Sequence, residues 1–304
     1  MKVIGVLKSI FWELASKSDK LYLRLKYKRI TGKWLHLRYP KTFNEKLQWL
    51  KLFYRDSLYT TLVDKYAVKE YVANSIGKEY VIPLLGKWDS VEDIDWNSLP
   101  NQFVIKTNHD SGGVLVCTDK TSFDTKYASD FLKDALKKNT YNITREWPYK
   151  SIVPCVIAEE YKCDRFSELR DYKFFCFNGE PKVMFIASNR HNEKEETAFD
   201  FFDMEGNHLN ITNGHPNAAI TPSLPVSFGK MRELSRVLSK NIPHVRVDFY
   251  EVDDSPLFGE MTFFHWGGFM PFCPVSWDYT FGKWLVLPAN NVRKFFRSSQ
   301  ISKH

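Results

Sequence analysis

Val104-Ile105-Lys106-Thr107-Asn108-His109-Asp110-Ser111-Gly112-Gly113 sets one lysine at the end of an apolar run, ahead of a polar turn that closes on two glycines. The residues on either side, Phe103 to Thr107 and Val114 to Thr118, read as short strands, and Asp-Ser-Gly-Gly is ordinary turn composition, so one reading is a hairpin. A second reading uses the same atoms. The lysine supplies charge at a strand end, and the backbone donors of Asp110 to Gly113 curve into an anion-binding nest, with Gly112 and Gly113 permitting positive φ and close approach. Lys106 precedes its glycines, which excludes the usual P-loop order. His109 within the turn either caps and packs or takes part in chemistry.

Working outward, His244-Val245-Arg246-Val247-Asp248-Phe249 alternates, so Arg246 and Asp248 share one strand face and Val245, Val247 and Phe249 the other. In Phe258-Gly259-Glu260-Met261-Thr262, Glu260 and Thr262 share a face in the same way. Two carboxylates on adjacent strands beside an arginine have the chemistry to hold magnesium and a polyphosphate. Solvated cross-strand pairs remain the alternative. Between these segments lie Ala158-Glu159-Glu160-Tyr161, where a carboxylate leaving an apolar strand can accept from ribose hydroxyls, and Arg170-Asp171-Tyr172-Lys173, whose lysine can add charge near phosphates.

The 304 residues, 43% hydrophobic and 26% charged, suffice for a substantial core in one large domain or two smaller ones. Five cysteines without a C-x-x-C pair read as reduced, mostly buried thiols of a cytosolic protein. The apolar run Val3 to Leu7 is too short for a spanning helix, and no signal or transmembrane segment is expected. The net charge of +7 is uneven: the first 41 residues hold 11 Lys or Arg against Glu13 and Asp19, a local +9, which leaves −2 for the rest. Interleaved with Phe11, Trp12, Leu21, Leu23 and Tyr27, this basic end suits an anionic membrane surface or a polyanionic glycan, or is simply the solvated face of a helix. Nucleic acid is disfavoured, because no zinc finger, helix-turn-helix or RNA-binding aromatic motif is present.

Thr42 and Glu45 fit a capping box opening a helical stretch to Tyr71, and a second helix from Leu62 through Val72 would display Lys65 and Lys69 on one face. Helices are also expected at Tyr127 to Lys138 and Phe228 to Ser239. Strands are expected at Val153 to Tyr161, Tyr172 to Phe177, Lys182 to Ala187, Thr197 to Phe202, His244 to Tyr250 and Leu257 to Phe263, with turns at Asn178-Gly179 and Glu205-Gly206. This succession predicts α+β lobes with a cleft between them.

The order of the pieces resembles the TupA-like ATP-grasp family of bacterial surface polysaccharide synthesis, over about Thr31 to Val286. The resemblance is carried by Tyr39-Pro40-Lys41-Thr42-Phe43-Asn44-Glu45-Lys46, Asp64-Lys65-Tyr66-Ala67-Val68-Lys69, Phe103-Val104-Ile105-Lys106, Asp171-Tyr172-Lys173-Phe174 and Phe258-Gly259-Glu260-Met261-Thr262-Phe263. It implies an α+β ATP-grasp fold whose two lobes enclose a nucleotide cleft, preceded by a basic helical N-terminal segment. The expected division is 1–75 for that segment, 76–160 for the first lobe and 161–304 for the second. By the same resemblance, Lys106 is the phosphate lysine, Ser111-Gly112-Gly113 the phosphate lid, and Glu159 or Glu160 the adenosine contact. Lys173 and Arg246 act on the transferred phosphoryl group, and Asp248 and Glu260 hold magnesium with Thr262 where the family often has Asn. Lys65 or Lys69 adds a further phosphate contact, and His265-Trp266-Gly267-Gly268-Phe269 occupies the acceptor-side turn. The implied cofactors are ATP and Mg2+, and the implied reaction joins a small-molecule or glycan-linked carboxylate to an amine in the cytoplasm, peripherally on the inner face of the membrane. A kinase, a glycosyltransferase and a noncatalytic membrane-associated scaffold are the competing readings.

Overall fold

The computed structural model describes residues 15–164, 169–189 and 196–288. The expected apolar and basic start, including Val3 to Leu7, Lys2, Lys8, Phe11 and Trp12, lies outside them. The chain divides into two compact units, Met1–Asp56 with Phe264–His304, and Ser57–Phe263. The first unit joins distant parts of the chain because the Ser276–Trp284 helix packs on the Phe43–Phe53 helix.

In the first unit, the Asp19–Thr31 helix begins at Ser18, whose hydroxyl accepts from Leu21 N–H, and buries Leu23 and Tyr27. The Phe43–Phe53 helix opens with the expected capping box: Thr42 Oγ1 accepts from Glu45 N–H, and Glu45 Oε2 accepts from Thr42 N–H, both at 3.2 Å. Against it packs the Ser276–Trp284 helix, held by Asn44 N–H donating to Asp278 Oδ1 at 2.9 Å and by the Phe43, Phe272 and Phe281 rings. The His265–Phe269 turn rests on the same helix. Gln48 Nε2 donates to the Gly267 and Gly268 carbonyls, and the buried Lys51 ammonium donates to Gly267 O at 2.6 Å while lying over the Phe264 and Phe269 rings.

The second unit holds two antiparallel sheets. β1 (Leu84–Trp88), β2 (Phe103–Thr107), β3 (Val114–Cys117) and β4 (Val156–Glu160) form one, in the order β1-β4-β2-β3. Its inner face, with Phe103, Ile105, Cys117, Val156 and Ala158, is covered by Leu132 of the Thr125–Leu136 helix. The other sheet contains β5 (Asp171–Phe177), β6 (Glu180–Ser188), β7 (Ala198–Asp203), β8 (His208–Leu209), β9 (His244–Val252) and β10 (Ser255–Thr262), ordered β10-β9-β5-β6-β7-β8. The Phe228–Leu238 helix covers one face, Phe228 lying 5.9 Å from Phe174. The predicted Asn178-Gly179 turn joins β5 and β6 with φ of 51° and 85°.

The predicted helical stretch from Thr42 to Tyr71 is in fact three helices, Phe43–Phe53, Leu58–Val63 and Val68–Ile76. Asp64 divides the last two: its Oδ1 accepts from Tyr66 and Ala67 N–H at 2.8 and 3.2 Å, a local turn that competes with the helix. Lys65 therefore lies in the connection and Lys69 on the helix, not together on one helical face.

Candidate active site

Two charged clusters form within the Ser57–Phe263 unit. The first sits on the outer face of the four-stranded sheet. Val104 pairs with Glu159 and Lys106 with Ile157 across β2 and β4, so Lys106 and Glu159 share a face, diagonal to one another. Glu159 is buried and takes an ammonium on each oxygen, Lys106 at 2.5 Å and Lys69 at 2.6 Å. Lys69 also donates to Ile82 O at 2.7 Å. Burial would raise the Glu159 pKa, but Lys106 and then Lys69 outweigh it and hold the carboxyl below its usual range. The Lys69 pKa is lowered, because burial costs its ammonium more than Glu159 returns. Glu160, on the opposite strand face, joins none of this. It pairs with Lys162 at 2.7 Å and lines an open cavity of about 440 Å³ with Leu85, Pro100, Asn101, Gln102 and Tyr161.

The glycine turn is the connection of the β2–β3 hairpin, with Lys106 opposite Val114. Asp110 orders it from within: Oδ1 accepts from the Thr107 hydroxyl at 2.5 Å and from Gly113 N–H at 3.2 Å. The Gly113 donor expected to face a ligand is thus used inside the turn. A Cβ at Gly113 would lie 2.4 Å from Asp110 Oδ1, so the glycine is required by packing, whereas Gly112 is required by its φ of +95°. Ser111 and Gly112 are the exposed part of the turn. Lys65 reaches in from the side and donates to the Asp110 carbonyl. Its pKa is lowered by burial first, against the opposing pull of Glu260, with Lys106 adding to the depression. His109 is buried, and its Nε2 donates to Lys138 O at 3.0 Å, which makes it a packing residue.

The second cluster is written by strand register on β5, β9 and β10. Lys173 stands opposite Asp248, Glu260 opposite Asp248, and Thr262 opposite Arg246. A bulge at Gly259 shifts the β10 phase after Phe258, which brings Glu260 onto the Asp248 face. Asp248 is buried at the hub. Arg246 grips it twice, Nε to Oδ1 and Nη2 to Oδ2, each at 2.7 Å, and Lys173 Nζ reaches Oδ2 at 2.5 Å and Asp171 Oδ1 at 2.9 Å. Burial raises the Asp248 pKa, opposed by Arg246 and Lys173. Burial disfavours the Arg246 cation, but Asp248 and Glu260 reverse this and raise its pKa. Arg246 Nη2 also donates to Glu260 Oε1 and Thr262 Oγ1, both at 3.1 Å. The three expected metal ligands therefore converge on one cationic nitrogen. Glu260, with its side chain 41% exposed, is the member open to solvent.

Sequence reasoning left two groups out. Asp171 anchors Lys173 from two residues upstream on its own strand, a spacing visible in the sequence. Tyr149 belongs to no motif. Its pKa is raised well above the ordinary phenol value by burial first, then by Glu146 and Glu260, and only folding brings it within range of the second cluster.

Among the described residues, no group of three or more His, Cys, Asp or Glu side chains could hold a metal by itself. Magnesium does not require one, since it is commonly held by one or two carboxylates with phosphate and water completing the shell. Oxygens of Asp248, Glu260 and Thr262 already meeting around a cation fit such an ion, and three ammoniums near Glu159 and Asp110 fit a polyphosphate.

Two antiparallel sheets in one unit, a lysine hairpin on one and an Arg-x-Asp/Glu-x-Thr strand pair on the other, give that unit an α+β architecture. The sequence pattern of the TupA-like ATP-grasp family matches residues 45–286, and the chain belongs to that family. Among solved structures it is similar to D-alanine–D-alanine ligase from Bacillus anthracis complexed with ATP, at 17% identity over 66% of this chain and 53% of that one, with a TM-score of 0.37. An ADP complex of N5-carboxyaminoimidazole ribonucleotide synthetase matches at 16% over 72% and 50% of the two chains, TM-score 0.42. D-alanine–D-alanine ligase from Helicobacter pylori matches at 12% over 84% and 65%, TM-score 0.40. The chain spans less than two thirds of the length of each. No curated protein matches the sequence.

Proposed function

We propose that the protein is an ATP- and Mg2+-dependent carboxylate–amine ligase that forms an amide on a sugar or peptide component of a bacterial surface polysaccharide through an acyl phosphate. Family membership supports ATP-grasp chemistry. The observation that carries the reading is the pairing, in one unit, of a lysine cluster around Glu159 with the Lys173–Arg246–Asp248–Glu260 cluster, Lys65 being subject to the charges of both.

Lys106, Lys69 and Lys65 would hold phosphate oxygens, exchanging Glu159 and backbone carbonyls for a stronger anion. Ser111 and Gly112 would close over them and keep water from the acyl phosphate. Glu159 would then be free to meet the adenosine. Lys173 and Arg246 would offset charge on the transferred phosphoryl group, a task of positioning and electrostatics. Asp248, Glu260 and Thr262 would hold magnesium, which supplies Lewis-acid neutralisation of the phosphate oxygens when bound. For this, Arg246 Nη2 would have to leave Glu260 and Thr262.

No helix among the described residues is long and apolar enough to cross a membrane. We place the enzyme in the cytoplasm, where ATP is supplied, peripheral on the inner membrane face. The test is incubation with ATP, magnesium, candidate uronic acids and amino acids, reading ADP, phosphate and product mass together. Equimolar ADP, phosphate and amide are expected. AMP with pyrophosphate, or a stable phosphorylated acceptor, would overturn the ligase assignment.

A further inference from the structure

The stretch from Ala15 to Lys41 is strongly basic, with nine Lys or Arg against the single acid Asp19. Eight of the nine are exposed, and Lys20, Arg24 and Lys28 form a row at four-residue spacing along the Asp19–Thr31 helix. The helix sends only Leu23 and Tyr27 fully into its own core. Past Gly32 the chain alternates, Leu35 and Leu37 inward, Trp34, His36 and Arg38 outward.

Large apolar side chains share this surface. Leu21, Ile30, Trp34 (52% exposed) and Tyr39 (67% exposed) stand among the cations. Lys28 Nζ lies 5.6 Å from the Trp34 ring centre and the Arg38 guanidinium 5.3 Å from that of Tyr39, so cation and aromatic are presented together. Residues 1–14, outside the described part, add Lys2, Lys8 and Glu13 and the apolar Val3, Ile4, Leu7, Phe11 and Trp12 in sequence.

We propose that residues 15–41 form a docking surface for an anionic lipid bilayer. This rests on the peripheral location proposed above and is independent of the ligase chemistry. A soluble polyanion needs only the cations and would leave Trp34, Tyr39, Leu21 and Ile30 in water. A bilayer surface takes both, lipid phosphates meeting Lys and Arg while aromatic and aliphatic side chains enter the headgroup boundary.

The test is sedimentation of the full chain with vesicles of phosphatidylcholine alone or mixed with phosphatidylglycerol. Binding is expected only to the mixed vesicles and weakens with added salt. K20Q/R24Q/K28Q/K33Q, all exposed positions, should lower partitioning at least about tenfold. Trp34→Ser should lower it several-fold while leaving retention on heparin unchanged. Circular dichroism and ADP release with soluble substrates should stay at wild-type levels in both variants, which separates failure of docking from failure of fold or reaction. No binding to phosphatidylglycerol vesicles, or equal binding by the quadruple variant, would overturn the proposal. Vesicle binding that ignores Trp34→Ser would instead make this a polyanion surface.

Discussion

The two clusters of the Ser57–Phe263 unit are built from the same residue types and differ in how their charge is used. Around Glu159, cations outnumber their local partner, and the lysines fill their remaining valence with the carbonyls of Asp110 and Ile82. Around Asp248, acids outnumber cations, and the guanidinium of Arg246 spans Asp248, Glu260 and Thr262. The first is a socket short of an anion, the second one already filled by a side-chain cation. A phosphate–metal pair would satisfy both at once, whereas either ligand alone would leave one cluster as it is. Buried charge arrangements of this kind are expected at functional sites more than in structural cores.

The sharpest way to break the comparison is at the hub. Asp248→Ala leaves the buried Lys173 with Asp171, and the buried Arg246 with Glu260 and Thr262, and should cost about 3–5 kcal/mol in denaturant unfolding. An unshifted midpoint would mean that Asp248 does not organise the second cluster. Glu260→Gln removes a more exposed carboxylate and should keep the fold, yet lower magnesium-dependent ADP release by about 10²-fold or more. Wild-type turnover would remove Glu260 from the metal role. Lys106→Met leaves Glu159 its contact with Lys69 and should weaken ATP binding about 30-fold or more, measured by calorimetry. Undiminished affinity would return the Val104 to Gly113 segment to a hairpin and nothing else.

The smallest expected effect is a pH dependence. Burial raises the Glu159 pKa, but Lys106 and Lys69 outweigh it and hold the carboxyl below its usual range, so its charge stabilises the fold above the ordinary carboxylate pKa and the contribution disappears as pH falls through the lowered folded value. The stability gap between wild type and Glu159→Gln should therefore be full at neutral pH and close in acid. A gap independent of pH would show that the glutamine perturbs packing instead.

Much of this was legible in the sequence. The Thr42/Glu45 capping box, the Asn178-Gly179 turn, the strand pair at His244 to Tyr250 and Leu257 to Phe263, and the shared face of Arg246 and Asp248 follow from local rules of capping, turn conformation and strand alternation. The break at Asp64 was not, because an apolar pattern that suits a helix does not reveal that its side chain will bond the Tyr66 and Ala67 N–H groups. The choice between Glu159 and Glu160 was also open, as adjacent residues on a strand point to opposite faces and only pairing with β2 says which face carries Lys106.

The sequence by itself determined which residues bear charge and which face of each strand they share. Tertiary structure decided who meets whom. Lys65, Lys69 and Tyr149 reach their clusters across long sequence separations, and the bulge at Gly259 sets the phase that turns Glu260 toward Asp248. The physical reason is that alternation fixes a side chain's face only relative to its own strand. Register between strands, and hence the meeting of charges, is a property of the assembled sheet.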